Sequence, residues 1–579
     1  MNHTKIREKD IDLKIIKTMK TNRRNFLQTI GVGATGLTLG SSTLSFASCT
    51  SSTDNKERDD AQVLFIGDNI ALADTQYGKV KGYVLRGINY FLGIPYGADT
   101  SGANRFMPPQ KPKPWTDVFP AVWWGNSAPQ MLDGMYSRNR YSTFVDHWNY
   151  DDVSEDCLKI NVFTPALKDD KKRPVLVWLH GGGFTSGNGN EHDGYNGENI
   201  ARDGDVVFCS VNHRLGPLGF SYLAGPGGAK YEASGNVGML DLVAALEWVR
   251  DNIRNFGGDL GNVTIMGQSG GGSKVTTLTA MPSAHGLFHK AVVLSGSLSL
   301  SAKKENASKL GEYILKEAGI TGNQIEKLQQ MPWKEYYALA SRAAANLMKD
   351  GGIGIWGFAP VIDGKYLPQD PYFPAATPLA ANIPMIISSV REELPPNRDD
   401  ATLENITLDE VKEKVKERAG FIGGLGDKAG EVVDAYAKVF PDKKPIEIWG
   451  LIAANRQSTV ALADSKSQLA APVYVAWFSW QPPLFDNRMR AFHCVDICFW
   501  FKNTDLMLSH TGGGARPKKL SAMMAGSLVQ FMKTGDPNGG GLPTWSKYTS
   551  EIGEVMCLDD VCEVKNDPDR EARKLLPTV

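Results

Sequence analysis

Gly267-Gln268-Ser269-Gly270-Gly271 sets a hydroxyl between glycines, after the apolar run Asn262–Met266 and before the helix-prone stretch Ser273–Ala280. Flanking glycines permit a tight strand-to-helix turn that holds the hydroxyl strained and accessible. The helix start points backbone N–H groups at the carbon this oxygen would attack. The chemistry implied is nucleophilic attack on a carbonyl. Small residues at turns match this pentapeptide by chance, so its weight comes from the strand–turn–helix context. A second segment, His180-Gly181-Gly182-Gly183-Phe184, directly follows the apolar run ending at Leu179. Its glycines let the backbone approach a substrate and aim N–H donors at a developing oxyanion. A merely flexible loop is the plainer reading. Both motifs after successive buried strands, in this order, argue against coincidence.

A serine nucleophile needs a base, and on this kind of turn the chain order is serine, acid, histidine. Four histidines follow Ser269: His285, His289, His493 and His510. The first two lie just past the serine's own helix, too close to fold back, and read as surface or packing residues. His510, in Ser509-His510-Thr511-Gly512-Gly513-Gly514, is expected in a flexible loop unsuited to fixed geometry. His493, before the apolar segment Ile497–Phe501, is the expected base, with a satisfied structural histidine as the alternative. The acid should follow a core strand between serine and base. Glu392 and Glu393 follow Ile383–Val390. In an extended chain adjacent side chains point to opposite sides, so only one faces His493 and its neighbour is expected to be exposed. Asp363 competes, although Asp363-Gly364 reads better as a turn.

These residues need a scaffold. Pro174–Leu179 and Asp205–Val211 are short continuous apolar runs, typical of strands buried on both faces. Asn262–Met266, Lys290–Leu294, Pro384–Ile387 and Pro472–Trp477 follow, and Gln76–Tyr96 carries an opening antiparallel pair. Between the second and third runs, Leu242, Ala245, Leu246, Val249 and Ile253 recur at helical spacing. Alternating strands and helices predict an α/β fold, with a mostly parallel sheet covered on both faces. The polar, helix-prone stretches 302–350 and 402–470 read as insertions capping it. No linker divides the chain after about Gln62, so 62–579 is expected to be a single catalytic domain. A net charge of -1 lacks the basic footprint of a nucleic-acid partner, and none is expected.

The first 48 residues read as an export signal. Arg23 and Arg24 precede a weakly apolar run, Ile30–Ala47, too rich in Gly, Ser and Thr for a membrane span. Small residues before Cys49 resemble a bacterial lipoprotein site, with 49–61 as a polar linker. Membrane anchoring through a lipidated Cys49 is therefore expected, against simple cleavage after Ser45-Phe46-Ala47. Export permits disulfides among seven cysteines, whose pairing sequence does not fix. Cys494 and Cys498 read as small buried residues rather than a metal or redox pair. No Cys/His cluster has zinc-site spacing.

Several further segments now carry a resemblance. Phe91-Leu92-Gly93-Ile94-Pro95-Tyr96, Arg105–Pro109, Ser154–Leu158, Asn212–Phe220 and Phe256–Thr264, with the two glycine motifs, resemble the type-B carboxylesterase family, from about Gln76 to Cys562. The resemblance implies an α/β-hydrolase fold and hydrolysis of a small carboxylic ester by two-step acyl transfer, with no metal or organic cofactor. It implies Ser269 as nucleophile, Glu393 as acid and His493 as base, with the N–H groups of Gly182, Gly183 and Gly270 as oxyanion donors. Structural ion pairs fall on Arg105 with Glu155 and Arg214 with Asp241. This sequence departs from the family at Ala128, where a cysteine normally bonds to the one at Cys157. It departs again at Gln268, where cholinesterases carry Glu, and at Leu394, Arg490 and Cys494. Cholinesterase activity is not supported. Residues 131–150, with Trp148, are expected in a gorge wall. Hydrolysis of amides or carbamates by the same triad is the alternative. A non-catalytic binding homologue is disfavoured, because serine, acid and histidine are all retained.

Overall fold

Side chains along the central strands alternate between two cores, which is why these strands read as unbroken apolar runs. Val175, Val177 and Leu179 enter one core, while Leu176 and Trp178 enter the other. Ala291 and Val293 are likewise separated from Val292 and Leu294. The protein, seen in a computed structural model, is described over residues 61–131, 152–297, 300–351 and 357–577. Arg23, Arg24, Cys49 and the segment containing Trp148 lie outside the described residues.

Twelve strands form the main sheet: β1 (Leu64–Phe65), β2 (Tyr83–Leu85), β3 (Ile88–Pro95), β4 (Lys159–Thr164), β5 (Arg173–Leu179), β6 (Val207–Val211), β7 (Gly258–Gln268), β8 (Lys290–Leu294), β9 (Met385–Val390), β10 (Val473–Phe478), β11 (Glu554–Leu558) and β12 (Glu563–Asn566). Their order is β1-β2-β3-β4-β6-β5-β7-β8-β9-β10-β11-β12. From β6 through β11 neighbours run parallel, and the pairs toward both edges are antiparallel. The expected mostly parallel α/β sheet is present. Sequence reading missed β1, β4, β11 and β12.

Helix α1 (Val237–Asn252) buries Leu242, Ala245, Leu246 and Val249 at the expected spacing. Helix α2 (Gly270–Thr279) starts where β7 ends. The first polar insertion forms α3 (Lys304–Ala318) and α4 (Trp333–Lys349). Their apolar faces meet in a satellite core of Leu310, Ile314, Tyr336, Leu339 and Ala343. The second supplies α5 (Leu408–Glu417), opened by a reciprocal Thr407–Glu410 cap, then α6 (Ala429–Val439) and α7 (Arg456–Ser467). Helix α8 (Ala515–Thr534) packs on the sheet face that also buries Trp178 and Tyr474.

Two expectations are corrected. His510 is not in a flexible loop: it is buried in the short helix Leu508–Thr511, its ring 5.2 Å from that of Phe492. Glu392 is not exposed. Its carboxylate pairs with Arg391 at 2.6 Å and accepts from Ala491 N at 3.1 Å, because β9 is followed by a buried turn rather than a surface strand. Cys157 is an unpaired thiol in the core that also buries Ala128.

Candidate active site

The residues singled out above converge at the carboxyl ends of β5, β7, β9 and β10, where open α/β sheets bind ligands. Ser269 follows β7 directly and caps α2 at φ 56 and ψ -125, a backbone conformation that residues other than glycine rarely adopt. Its N–H donates to Leu294 O at 2.8 Å and its carbonyl accepts from Ser273 N at 3.1 Å. The turn is thus held by β8 on one side and by α2 on the other. Ser269 itself is half-buried.

The glycine loop after β5 lies against this turn. A Cβ on Gly270 would stand 2.3 Å from Gly183 N, which measures how closely the two backbones pass. Gly182 and Gly183 have φ of 77° and 61°. Among the described residues, neither donates its N–H to a carbonyl or side chain. The loop is braced instead through the Gly182 carbonyl, which accepts from Thr185 N at 3.2 Å and Ser186 N at 3.0 Å. Two unspent backbone donors beside a strained serine are what a developing oxyanion requires.

His493 and Glu393 are joined twice. His493 N donates to Glu393 O at 3.0 Å, and His493 Nδ1 is in short contact with Glu393 Oε2. The Glu393 side chain is buried and that of His493 is 24% exposed. Burial lowers the pKa of the imidazole, but Cys494 and the Glu393 carboxylate more than offset it and hold it well above its ordinary value. Nε2 of His493 is engaged by Gln268 Nε2 at 3.2 Å. Among the described residues, no hydrogen bond joins the ring to Ser269 Oγ. Such bonds often form only once substrate is bound.

Two contacts here were not foreseen. Gln268 is fully buried; it donates toward the imidazole and accepts from Cys494 Sγ at 3.2 Å through Oε1. Only its missing charge had been visible in the sequence. Asp496 is also fully buried, accepts from Trp500 Nε1 at 3.2 Å, and has a pKa pushed up to about 7, first by burial.

The competing candidates have other duties. Asp363 Oδ1 accepts from the backbone of Lys365, Tyr366 and Leu367, capping a turn as expected. His285 is exposed, and His289 accepts from Val263 N. The implied ion pairs are in place, Arg105–Glu155 at 2.6 Å and Arg214–Asp241 at 2.6 Å, all four side chains buried. No group of acidic, cysteine or histidine residues among the described residues is arranged to hold a metal ion.

Comparison with known proteins adds to this geometry. The carboxylesterase family model matches residues 70–575. The para-nitrobenzyl esterase of Bacillus subtilis is 34% identical over 521 residues, covering 88% of this chain and 99% of that protein. The phenmedipham hydrolase of Pseudarthrobacter oxydans is 30% identical over 508 residues, covering 86% and 97%. Among solved structures, a Clostridium hathewayi esterase described as hydrolysing aliphatic aromatic polyesters superposes with a TM-score of 0.76. It is 33% identical, covering 88% of this chain and 99% of that one. A Geobacillus stearothermophilus carboxylesterase gives 0.71 at 31% identity, covering 88% and 100%.

Proposed function

The chain belongs to the carboxylesterase family and is a serine-dependent carboxylic-ester hydrolase of the α/β-hydrolase fold, and we propose that its turnover runs through Ser269, His493 and Glu393. The observation that carries this reading is the doubly tied His493–Glu393 pair beside the strained turn of Ser269. In the first step His493 Nε2 takes the Ser269 proton as Oγ attacks the ester carbonyl. The carbonyl oxygen becomes an oxyanion facing the N–H groups of Gly182, Gly183 and Gly270. His493 then gives its proton to the departing alcohol, leaving an acyl-enzyme. Water, deprotonated by the same ring, attacks that acyl group and releases the acid. Glu393 keeps Nδ1 protonated and stabilises the imidazolium.

Ser269→Ala tests the reading. Triad deletions in a serine protease cost on the order of 10⁶ in kcat, so the folded variant should show no measurable esterase turnover. A fluorophosphonate probe should label the wild type at Ser269 and leave the variant unlabelled. Near wild-type turnover in the folded variant would move the nucleophile elsewhere.

Export and anchoring at Cys49 form a second part of the proposal, supported by the arginine pair and the small residues before that cysteine. Bacterial lipoproteins carry more than one acyl chain, and paired chains bind membranes firmly where one does not. Mass spectrometry of the mature N-terminus decides it: a diacylated or triacylated Cys49 is expected, and an unmodified terminus at Ser48 would mean simple secretion.

A further inference from the structure

Lys274 is a cation where a helix packed behind a catalytic turn would ordinarily carry an apolar or small residue. It lies one turn into α2, fully buried, among Gly271, Gly272, Val275 and Leu278. Its Nζ donates to His180 O at 2.8 Å and reaches Gly181 O at 3.5 Å. These carbonyls belong to the loop whose next two N–H groups, on Gly182 and Gly183, stand unspent beside Ser269. The carbonyl of Gly181 and the N–H of Gly182 share one peptide unit. A cation on the oxygen of an amide draws electron density from its nitrogen and makes the N–H a stronger donor, as in any hydrogen-bond chain.

At and below neutral pH the surroundings leave Lys274 as the cation. The rings of His180 and His213 stack at 5.1 Å beside it, and burial and then the field of Lys274 hold both well below their ordinary pKa. Their Nε2 atoms have no partner among the described residues, as befits neutral rings. Among the described residues, the field of the buried Glu191 favours the ammonium form, and burial draws the Lys274 pKa down to about 7 against it. A charge buried this completely is weakly screened.

We propose that Lys274 is a positioning residue for the oxyanion site: its ammonium fixes the His180 and Gly181 carbonyls and, through the Gly181–Gly182 peptide, strengthens the Gly182 N–H as a donor. This rests on the oxyanion role assigned to Gly182 and Gly183 above. The ammonium does little for a neutral ester carbonyl and more for the oxyanion, so it lowers the barrier rather than tightening substrate binding.

The test is Lys274→Met, which keeps the length of the side chain and removes the charge and the donors. Losing one direct oxyanion donor costs about 10²–10³ in kcat; acting through a peptide, Lys274 should cost about ten- to a hundredfold, with KM little changed. Affinity for a trifluoromethyl ketone transition-state analogue should fall in the same proportion. The wild-type advantage should be largest at or below neutral pH and shrink as pH rises through the titration of Lys274, whose facing groups are Glu191, His180 and His213. Unchanged kcat and unchanged ketone affinity with only a lower melting temperature would overturn the proposal, as would a pH-independent ratio. If the Met variant does not fold, Lys274→Gln takes its place. It offers a donor without charge, so wild-type kcat in that variant would show that the charge contributes nothing and would overturn the proposal. Fluorophosphonate labelling separates this from the triad assignment. The Lys274 variants should still label at Ser269, more slowly, whereas loss of Ser269 labelling in the wild type would sink the triad itself.

Discussion

The His493 imidazole lies between groups that pull its proton in opposite directions. Glu393 at Nδ1 stabilises the cation, while the Gln268 amide at Nε2 presents a donor to the nitrogen that must accept from Ser269. The net direction is upward, against burial, through Cys494 and Glu393. General-base catalysis needs the neutral ring. The kcat/KM profile should therefore rise with pH along a limb whose midpoint lies above the ordinary histidine value of about 6.5. Stability runs the other way: the raised pKa contributes stability below the unfolded value that is lost as pH climbs through the folded one. Gln268→Glu sets a carboxylate against Nε2 and should move the midpoint further up; an unmoved or lowered midpoint would show that this side chain does not touch the base. Asp496 titrates in the same region, so the profile is best read in Asp496→Asn as well. The two glutamates differ in kind. Glu393→Gln should lower kcat by about 10⁴, as loss of the acid does in a serine protease, with little change in melting temperature. Glu392→Gln loosens the Arg391 pair and the Ala491 contact, and should show mainly as lost stability. The reverse pattern in folded variants would exchange their roles.

At the scale of elements, function depends on how closely α2 seats against β5. A Cβ on Gly271 would stand 2.0 Å from Leu179 O, so alanine there forces helix and strand apart. Shifts of about 1 Å at reacting groups can cost a hundredfold in rate, and Gly271→Ala should lose about that much in kcat/KM. Gly430, inside α6, has open space at its Cβ position. Gly430→Ala should raise stability by about 0.5–1 kcal/mol without altering turnover, and a loss of activity there would mean that the second insertion is coupled to the site. These contrasts explain what the sequence disclosed. Ser269 and the glycine loop were legible because turn chemistry is local, and β5, β6 and β8 because burial on both faces removes polar residues from the strand. His493 emerged by elimination. The acid did not: two adjacent glutamates follow one strand, and family resemblance, not spacing, singled out Glu393. Lys274 and Gln268 act through partners that the chain brings back from far away, 94 and 225 residues off, and a lysine in a helix ordinarily reads as surface. Strand β11 escaped because it is short and flanked by polar turns.

Across the whole molecule, the second insertion, the sheet and the C-terminal segment are pinned at one buried charge cluster. Arg456, the first residue of α7, pairs with Asp567 at 3.1 Å and with Asp569, and its guanidinium lies 4.9 Å over the ring of Trp477 in β10. Arg573 closes the cluster on Asp567 at 2.5 Å and on Asp569 at 3.3 Å. All four charged side chains are buried. Burial alone would raise the Asp567 pKa, but Arg456 and Arg573 hold it below the usual carboxylate range. Its contribution to stability is therefore present above the unfolded value of about 3.9 and is lost as pH falls through the folded value. Removing one member of a buried pair strands its partner, at a cost of about 3–5 kcal/mol. Melting entropy grows with chain length, so in a unit of this size that loss should lower Tm by only about 3–5 °C. Arg456→Met should show this drop by calorimetry and begin acid unfolding at higher pH, while kcat/KM well below the transition stays near wild type. The double variant Arg456→Met/Asp569→Asn should recover part of the loss, because the penalty lies in the carboxylate left without its cation. If the double variant were less stable than Arg456→Met alone, the cluster would be held by packing around Trp477 rather than by charge.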